Sequence, residues 1–169
     1  FGSSRSGTVR NECMFATHAQ QLRDLSKSEQ WQRALHTFFE LRLRRLRPNV
    51  ITFTVATGAC AKGAQWQDAS GMLRDMRLRC VEPDVIAHGA VLSACAKRAQ
   101  WQKGVGQLGD IRSGRLVPDT VNYNAAVSAC AEGSQWQLAL DVLREMPLRG
   151  LEPNVITCSA AITSCEKSA

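Results

Sequence analysis

A proline followed by an aspartate or an asparagine recurs every 35 residues along this 169-residue chain. An ionised aspartate only accepts hydrogen bonds, whereas an asparagine amide also donates them, so these two side chains can distinguish donors from acceptors on a ligand. Both residue types are also favoured N-caps of helices. The sequence leaves both roles open for the four residues that end these pairs, which are Asn49, Asp84, Asp119 and Asn154.

The seven cysteines could suggest a metal site or disulfides, but their spacing argues against both. Neighbouring packed helices lie about 8–10 Å apart, beyond the roughly 7 Å that two bridged Cα atoms can span. No C-x-x-C pair or His/Cys cluster has zinc spacing. We predict small buried side chains, no metal and no cofactor. Four of the cysteines share one position of the 35-residue period: Cys60, Cys95, Cys130 and Cys165.

The histidines do not complete a catalytic group either. His18 and His88 occupy the position that Phe53, Tyr123 and Cys158 hold elsewhere in the period, which indicates packing. No nucleophile, base and orienting residue can be assembled from the rest of the chain, and no glycine-rich phosphate loop is present. We therefore predict a protein that acts by binding and is not an enzyme.

All four tryptophans stand in Gln-Trp-Gln triplets, again 35 residues apart. A fixed period of this length is typical of a repeat array, in which each unit packs on its neighbours. No stretch is long and apolar enough to span a membrane. The predicted division is a disordered lead-in at 1–14, a degenerate unit at 15–49, full units at 50–84, 85–119 and 120–154, and a partial unit at 155–169.

Each unit reads as two helices. The first half carries apolar residues at helical spacing, as Tyr123, Val127 and Cys130 show, and the second half repeats such a stripe from its tryptophan onwards. The prolines separate successive units. We predict an all-α, right-handed α-solenoid of helix-turn-helix hairpins, with each tryptophan as a large buried anchor at the start of a second helix.

Three local expectations follow from glycine and proline. Gly63 and Gly133 are expected in the left-handed conformation that ends a helix. Pro147 is expected to end or kink the last turn of its helix. Unit 85–119 is expected to be the most mobile, because three glycines lower the helix propensity of its second helix: Gly104, Gly106 and Gly109.

The period, the Pro-Asp and Pro-Asn pairs, and openings such as Val-Ile-Thr-Phe-Thr at 50–54 resemble the pentatricopeptide repeat family over residues 15–169. The resemblance is to a P-type array, of which this chain would be a fragment. Members of this family bind single-stranded RNA in organelles, one base per repeat. The resemblance thus implies a sequence-selective RNA-binding protein of the mitochondrion or chloroplast, acting in RNA processing, stability, editing or translation. The net charge of +6 is compatible with a polyanionic partner. The alternative is a scaffold whose surface holds a peptide or protein.

In that family, a polar residue early in the first helix and the last residue of the unit select the base. The resemblance pairs Thr54 with Asp84, which would choose G, and Asn124 with Asn154, which would choose a pyrimidine, preferably C. Aspartate suits the imino N–H of G or U, and asparagine the bare ring nitrogen of A or C. The other selector positions are Gly89 with Asp119, Ala19 with Asn49, and Ser159; Gly89 and Ala19 have no polar side chain, so their units are expected to be permissive.

The resemblance assigns two further sets of residues. Aliphatic side chains three places before each first selector would wedge between neighbouring bases: Ala16, Ile51, Ile86, Val121 and Ile156. Lysines at another shared position, which Glu132 breaks, would approach RNA phosphates: Lys27, Lys62, Lys97 and Lys167. Stabilisation of a helix C-terminus is the alternative role of these lysines. Residues 1–14 are either a disordered lead-in or the remains of a transit peptide.

Overall fold

The computed structural model describes residues 17–25, 30–44, 46–114 and 116–167, and these ranges contain helices and no strand. Residues 17–25 are helical and are called α1 here. The other helices are α2 (Trp31–Leu43), α3 (Val50–Lys62), α4 (Trp66–Leu78), α5 (Val85–Lys97), α6 (Trp101–Ser113), α7 (Thr120–Glu132), α8 (Trp136–Leu148) and α9 (Val155–Glu166).

The helices pack in a pattern that repeats along the chain. The first helices α3, α5, α7 and α9 lie side by side in a row, and each second helix packs between two first helices, so that α4, for example, contacts α3 and α5. An array of helical hairpins is therefore the fold, and the expected all-α solenoid is confirmed. Every helix in the described ranges is too short or too polar to cross a membrane.

The core lies between the row of first helices and the second helices that cover it. Phe53 and Tyr123, which share one position of the period, are fully buried. The cysteines Cys60, Cys95 and Cys130 are buried as well, and burial raises the pKa of the Cys60 thiol to about 12 and those of the other two to about 11. These thiols stay protonated at neutral pH and pack as small apolar groups. Cys165, which shares their position in α9, is exposed.

The tryptophans are less buried than the sequence suggests. Trp31, Trp66 and Trp101 are half-buried, and Trp136 is 41% exposed. The buried stripe of each second helix begins three residues later, at a small residue such as Ala69, and runs along the inner face. Trp31, Trp66 and Trp101 still pack against the core, so the expectation of an anchor is right for these contacts and wrong in the degree of burial, because the indoles lie at the edge of the core.

The first helices α3, α5 and α7 are each followed by a left-handed residue, which lies one place later than expected. Gly63 and Gly133 have φ of −76° and −85°, whereas Ala64 and Ser134 have φ of 53° and 54°. In the first of these turns Gln65 N donates to Cys60 O at 2.9 Å, which is the long bond of a Schellman motif. The expectation that Gly63 and Gly133 adopt the left-handed conformation is thus wrong.

The glycines are required by the tryptophans instead. A Cβ atom on Gly63 would lie 2.6 Å from the indole of Trp31, and one on Gly133 would lie 2.4 Å from that of Trp101. Each indole belongs to the preceding second helix, so glycine lets neighbouring units approach. Arg98 stands at the equivalent place after α5.

The proline in α8 does not shorten its helix. α8 has 13 residues, the same number as α4, and includes Pro147 as its penultimate residue. The missing proline N–H removes one hydrogen bond within the last turn, and the turn is closed by Leu151 N donating to Met146 O at 3.0 Å. Pro147 therefore does not end its helix earlier than in the other units, and the alternative, a kink in the last turn, stays a prediction.

Candidate nucleic-acid interface

The Pro-Asp and Pro-Asn pairs place four polar side chains along one edge of the row of first helices. Each of these residues is the N-cap of the helix that follows it. Its backbone is extended, and its side-chain oxygen accepts from the amide three residues later at 2.8–3.0 Å. We call this edge the selector rim; it consists of the caps Asn49, Asp84, Asp119 and Asn154 and the first turns of α3, α5, α7 and α9.

Capping uses only part of each side chain. Asp84 accepts from Ala87 N through Oδ1 at 2.8 Å, which leaves Oδ2 for another donor. Asn154 accepts from Thr157 N through Oδ1 at 3.0 Å, which leaves its amide N–H groups for an acceptor. The two aspartates of the rim can therefore present an acceptor, and the asparagines a donor, while they cap their helices. The two roles considered from the sequence are compatible.

The pair Thr54 and Asp84 comes together at the rim. Thr54 Oγ1 lies 3.3 Å from Asp84 Oδ1 and 3.4 Å from Oδ2, and 2.9 Å from the carbonyl oxygen of Val50. A hydroxyl has one hydrogen, so its shorter bond to the helix carbonyl competes with the one to the carboxylate. Both side chains are half-buried and can meet the same ligand.

The second expected pair, Asn124 and Asn154, is arranged differently. Asn154 is exposed and forms a capping box with Thr157, whose Oγ1 accepts from the backbone N–H of Asn154 at 2.8 Å. Asn124 is half-buried, and its Oδ1 is covered and has no hydrogen-bond partner among the described residues. Ser159 in α9 is exposed. Ala19 is half-buried in α1, and Asn49 caps α3.

A row of aliphatic side chains runs beside the selectors. The four residues expected to wedge between bases are all exposed, by 50% for Ile51, 70% for Ile86, 66% for Val121 and 63% for Ile156. Large aliphatic groups that stand in solvent at each repeat mark a contact surface more often than a packing need. Ala16 lies outside the described residues.

The lysine position carries contacts between units. Lys97 Nζ donates to Ala61 O at 2.9 Å and reaches Lys62 O at 3.5 Å, at the C-terminus of α3. Lys167 forms an ion pair with Glu132 at 2.8 Å. These bonds favour the role at helix C-termini, and each ammonium keeps further N–H groups for other acceptors. Lys27 lies outside the described residues.

Comparison with known proteins relates part of the chain to a repeat family. Residues 118–167 match the PPR repeat family. The fold is similar to that of the pentatricopeptide repeat protein PPR10 in complex with an 18-nt psaJ RNA element, with a TM-score of 0.76 and 27% identity over 88% of this chain and 22% of that one. Residues 118–167 thus resemble pentatricopeptide repeats in sequence, and the array of hairpins resembles them in fold.

Other solved pentatricopeptide repeat structures have the same fold. PPR10 from maize has a TM-score of 0.74 and 20% identity over 89% of this chain and 22% of that one. The PPR domain of protein-only RNase P 1 from Arabidopsis thaliana, in complex with tRNA, has a TM-score of 0.80 and 14% identity, over 90% of this chain and 81% of that one. The chain spans about a fifth of the length of PPR10. No curated protein matches it.

One residue of the selector rim was not identified from the sequence. Asn122 is 1% exposed, and its Nδ2 donates to Asp119 Oδ1 at 2.6 Å, beside the backbone of Gly89. The signal in the sequence is that threonine or alanine holds this position elsewhere, in Thr52, Ala87 and Thr157. Within the described ranges no group of three or more His, Cys, Asp or Glu side chains could hold a metal ion.

Proposed function

We propose that the chain binds single-stranded RNA and reads individual bases along the selector rim. The observation that carries the proposal is the meeting of Thr54 and Asp84 next to the exposed side chain of Ile51, at the place where the family selects its base. The match to PPR repeats and the likeness to an RNA-bound PPR10 support it. The chain acts by binding and has no catalytic step of its own.

The base preferences follow from the free atoms of the caps. Asp84 Oδ2 offers an acceptor to the imino N–H of G, and Thr54 lies beside it. Asn154 offers an amide N–H to the bare ring nitrogen of C, with Asn124 as the second selector. The aliphatic side chains of Ile51, Ile86, Val121 and Ile156 separate neighbouring bases, and Ser159 lies at the start of a further unit.

The lysines extend the proposal to the RNA backbone. In this proposal Lys27, Lys62, Lys97 and Lys167 contact phosphates. An ammonium group has three N–H donors, so Lys97 and Lys167 can do so while they keep their contacts with the preceding unit. The boundaries at 49/50, 84/85, 119/120 and 154/155 then divide the RNA into one base per unit. The function belongs to organellar transcripts, in a mitochondrion or chloroplast, where the chain supports their processing, stability, editing or translation.

Fluorescence anisotropy of short labelled RNAs tests base reading. The probe carries G opposite unit 50–84 and C opposite unit 120–154, with swapped-base and DNA versions beside it. We expect the coded RNA to bind most tightly, and Thr54→Ala or Asn124→Ala to reduce its advantage over the swapped RNA by about tenfold. Thr37→Ala is the matched control, because Thr37 bonds to Arg33 O on α2, away from the rim.

Two outcomes contradict the proposal. Equal binding of all sequences, unchanged by Thr54→Ala, would leave a basic surface without base reading. Absence of RNA binding by a folded chain would favour the scaffold alternative, in which the exposed aliphatic row holds a peptide.

A further inference from the structure

The selector position of unit 85–119 is empty, since Gly89 has no side chain, and a neighbouring residue fills the space. A Cβ atom built on Gly89 would lie 3.0 Å from Asn122 Oδ1, closer than ordinary packing allows. Asn122 belongs to the next unit, where it is the third residue of α7. A larger side chain at 89 therefore requires the amide of Asn122 to move from its observed position by a few tenths of an ångström.

The orientation of the Asn122 amide follows from its partner. An ionised carboxylate only accepts hydrogen bonds, so the atom 2.6 Å from Asp119 Oδ1 must be the nitrogen Nδ2. The oxygen then faces Gly89, where it is buried and has no partner in the described chain. In α9 the equivalent Thr157 instead accepts from the backbone N–H of its cap. Asn122 makes no such bond, and its side-chain N–H group donates to the carboxylate of Asp119 instead.

Asn122 holds the carboxylate of Asp119 in one orientation through two hydrogen bonds. Its Oδ1 accepts from both Asn122 N at 2.9 Å and Asn122 Nδ2 at 2.6 Å, while Oδ2 has no protein donor within the part of the chain that the structure describes. Asp119 is exposed, so this second oxygen can meet a ligand. In unit 50–84 the side-chain donor to the selector aspartate is Thr54, from the same unit, and the third residue of the next helix is Ala87.

We propose that Asn122 is a specificity-determining positioning residue, which replaces the missing selector at Gly89 and makes unit 85–119 read bases with an imino N–H, G or U, through Asp119 Oδ2. This inference rests on the proposed RNA binding and differs from the expectation that the unit is permissive. Because Gly89 has no side chain with which to contact the base, the unit separates G and U from A and C, and does not separate purines from pyrimidines.

The experiment varies one base within a fixed frame. Labelled RNAs carry G opposite unit 50–84, C opposite unit 120–154 and each of the four bases between them, in either 5′→3′ order, with abasic flanks that hold the number of phosphates constant. The 169-residue chain should bind the RNAs with central G or U about tenfold more tightly than those with A or C, as expected for one hydrogen bond to a carboxylate.

Three variants separate positioning from a structural role. Asn122→Ala should remove the preference at the central base and keep the preference for G opposite unit 50–84; alanine is tolerated at this position, since Ala87 holds it in α5. Gly89→Thr/Asn122→Ala copies the arrangement of Thr54, Asp84 and Ala87 and should restore the preference. Gly89→Thr alone places its Cβ against Asn122 Oδ1, so its preference for G or U at the central base should not exceed that of the original chain.

The outcomes separate the two proposals. A chain that discriminates opposite unit 50–84 but not at the central base, or an Asn122→Ala variant that keeps the central preference, would overturn the role of Asn122 and leave RNA reading intact. A folded chain that discriminates at neither unit would overturn the proposed function, and the role of Asn122 with it. Circular dichroism melting of each variant establishes that it is folded, and the ratio of Kd values, which loss of stability alone does not change, is the readout.

Discussion

At the residue scale, small residues decide which large groups can approach between units. Gly63 admits the indole of Trp31, Gly133 admits that of Trp101, and Gly104 lies so close to α7 that its Cβ would meet Ala129 Cβ at 3.1 Å. None of these three has a positive φ. Their absence of a side chain, and not their backbone freedom, is what the array uses.

Gly63→Ala should lower the free energy of unfolding by about 1–3 kcal/mol, because the added methyl group overlaps the indole of Trp31. Gly58→Ala is the matched control in α3. It has open space around it and should raise the same free energy by up to about 1 kcal/mol through helix propensity. Urea denaturation of both variants measures the difference.

The contact itself is tested in a second background. In a Trp31→Leu chain the smaller side chain leaves room for the methyl group, so Gly63→Ala should cost much less there than in the original chain. An equal cost in both backgrounds would show that the indole is not the obstacle.

At the element scale, the second helix α6 contains three glycines, and only one of them is packed against a neighbouring helix. α6 contains Gly104, Gly106 and Gly109; the first is buried against α7, whereas the other two have open space around them. The buried core also divides into two clusters within α5, the first helix of the same unit. We therefore expect local opening to cost the least free energy in unit 85–119.

We expect amide hydrogen exchange to be faster in α6 than in α4, its equivalent in the preceding unit. Gly106→Ala/Gly109→Ala should slow exchange in α6, since each alanine adds up to about 1 kcal/mol of helix stability in open space. Gly104→Ala serves as the contrasting variant, because its methyl group meets Ala129. Uniform protection of α4 and α6 would contradict this expectation.

At the scale of the whole molecule, successive units are joined by the same polar contacts. Arg42 pairs with Asp75 at 2.7 Å, and Arg112 with Glu145 at 3.0 Å, each from one second helix to the next. Lys97 reaches back to the carbonyl groups at the end of α3. Because each unit contacts its neighbours, the stability of the array is close to a sum over units and interfaces.

In the proposed function the lysines contact the RNA backbone, and the salt dependence of RNA binding tests these contacts. Lys62→Ala/Lys97→Ala should reduce the slope of log Kobs against log salt by about 1.4, two phosphate contacts at about 0.7 each for single strands. Lys103→Ala/Arg74→Ala removes the same charge from the exposed faces of α6 and α4 and should change the slope less. If the slopes of log Kobs against log salt are equal for the two double variants, the change is due to overall charge. Lys97 would then act only in stabilising the C-terminus of a helix.

The amino-acid sequence by itself determined the period, the helical hairpins, the caps and the exposed aliphatic row. These depend on local properties, such as hydrophobic periodicity and capping, that repeat in every unit and so reinforce one another. The base preferences of Thr54 and Asn124 remain predictions. Only the tertiary structure decided the role of Gly63, the edge position of the tryptophans and the pairing of Asn122 with Asp119 beside Gly89. The physical reason is that these contacts depend on how closely one unit stacks on the next, which the period of the sequence does not specify.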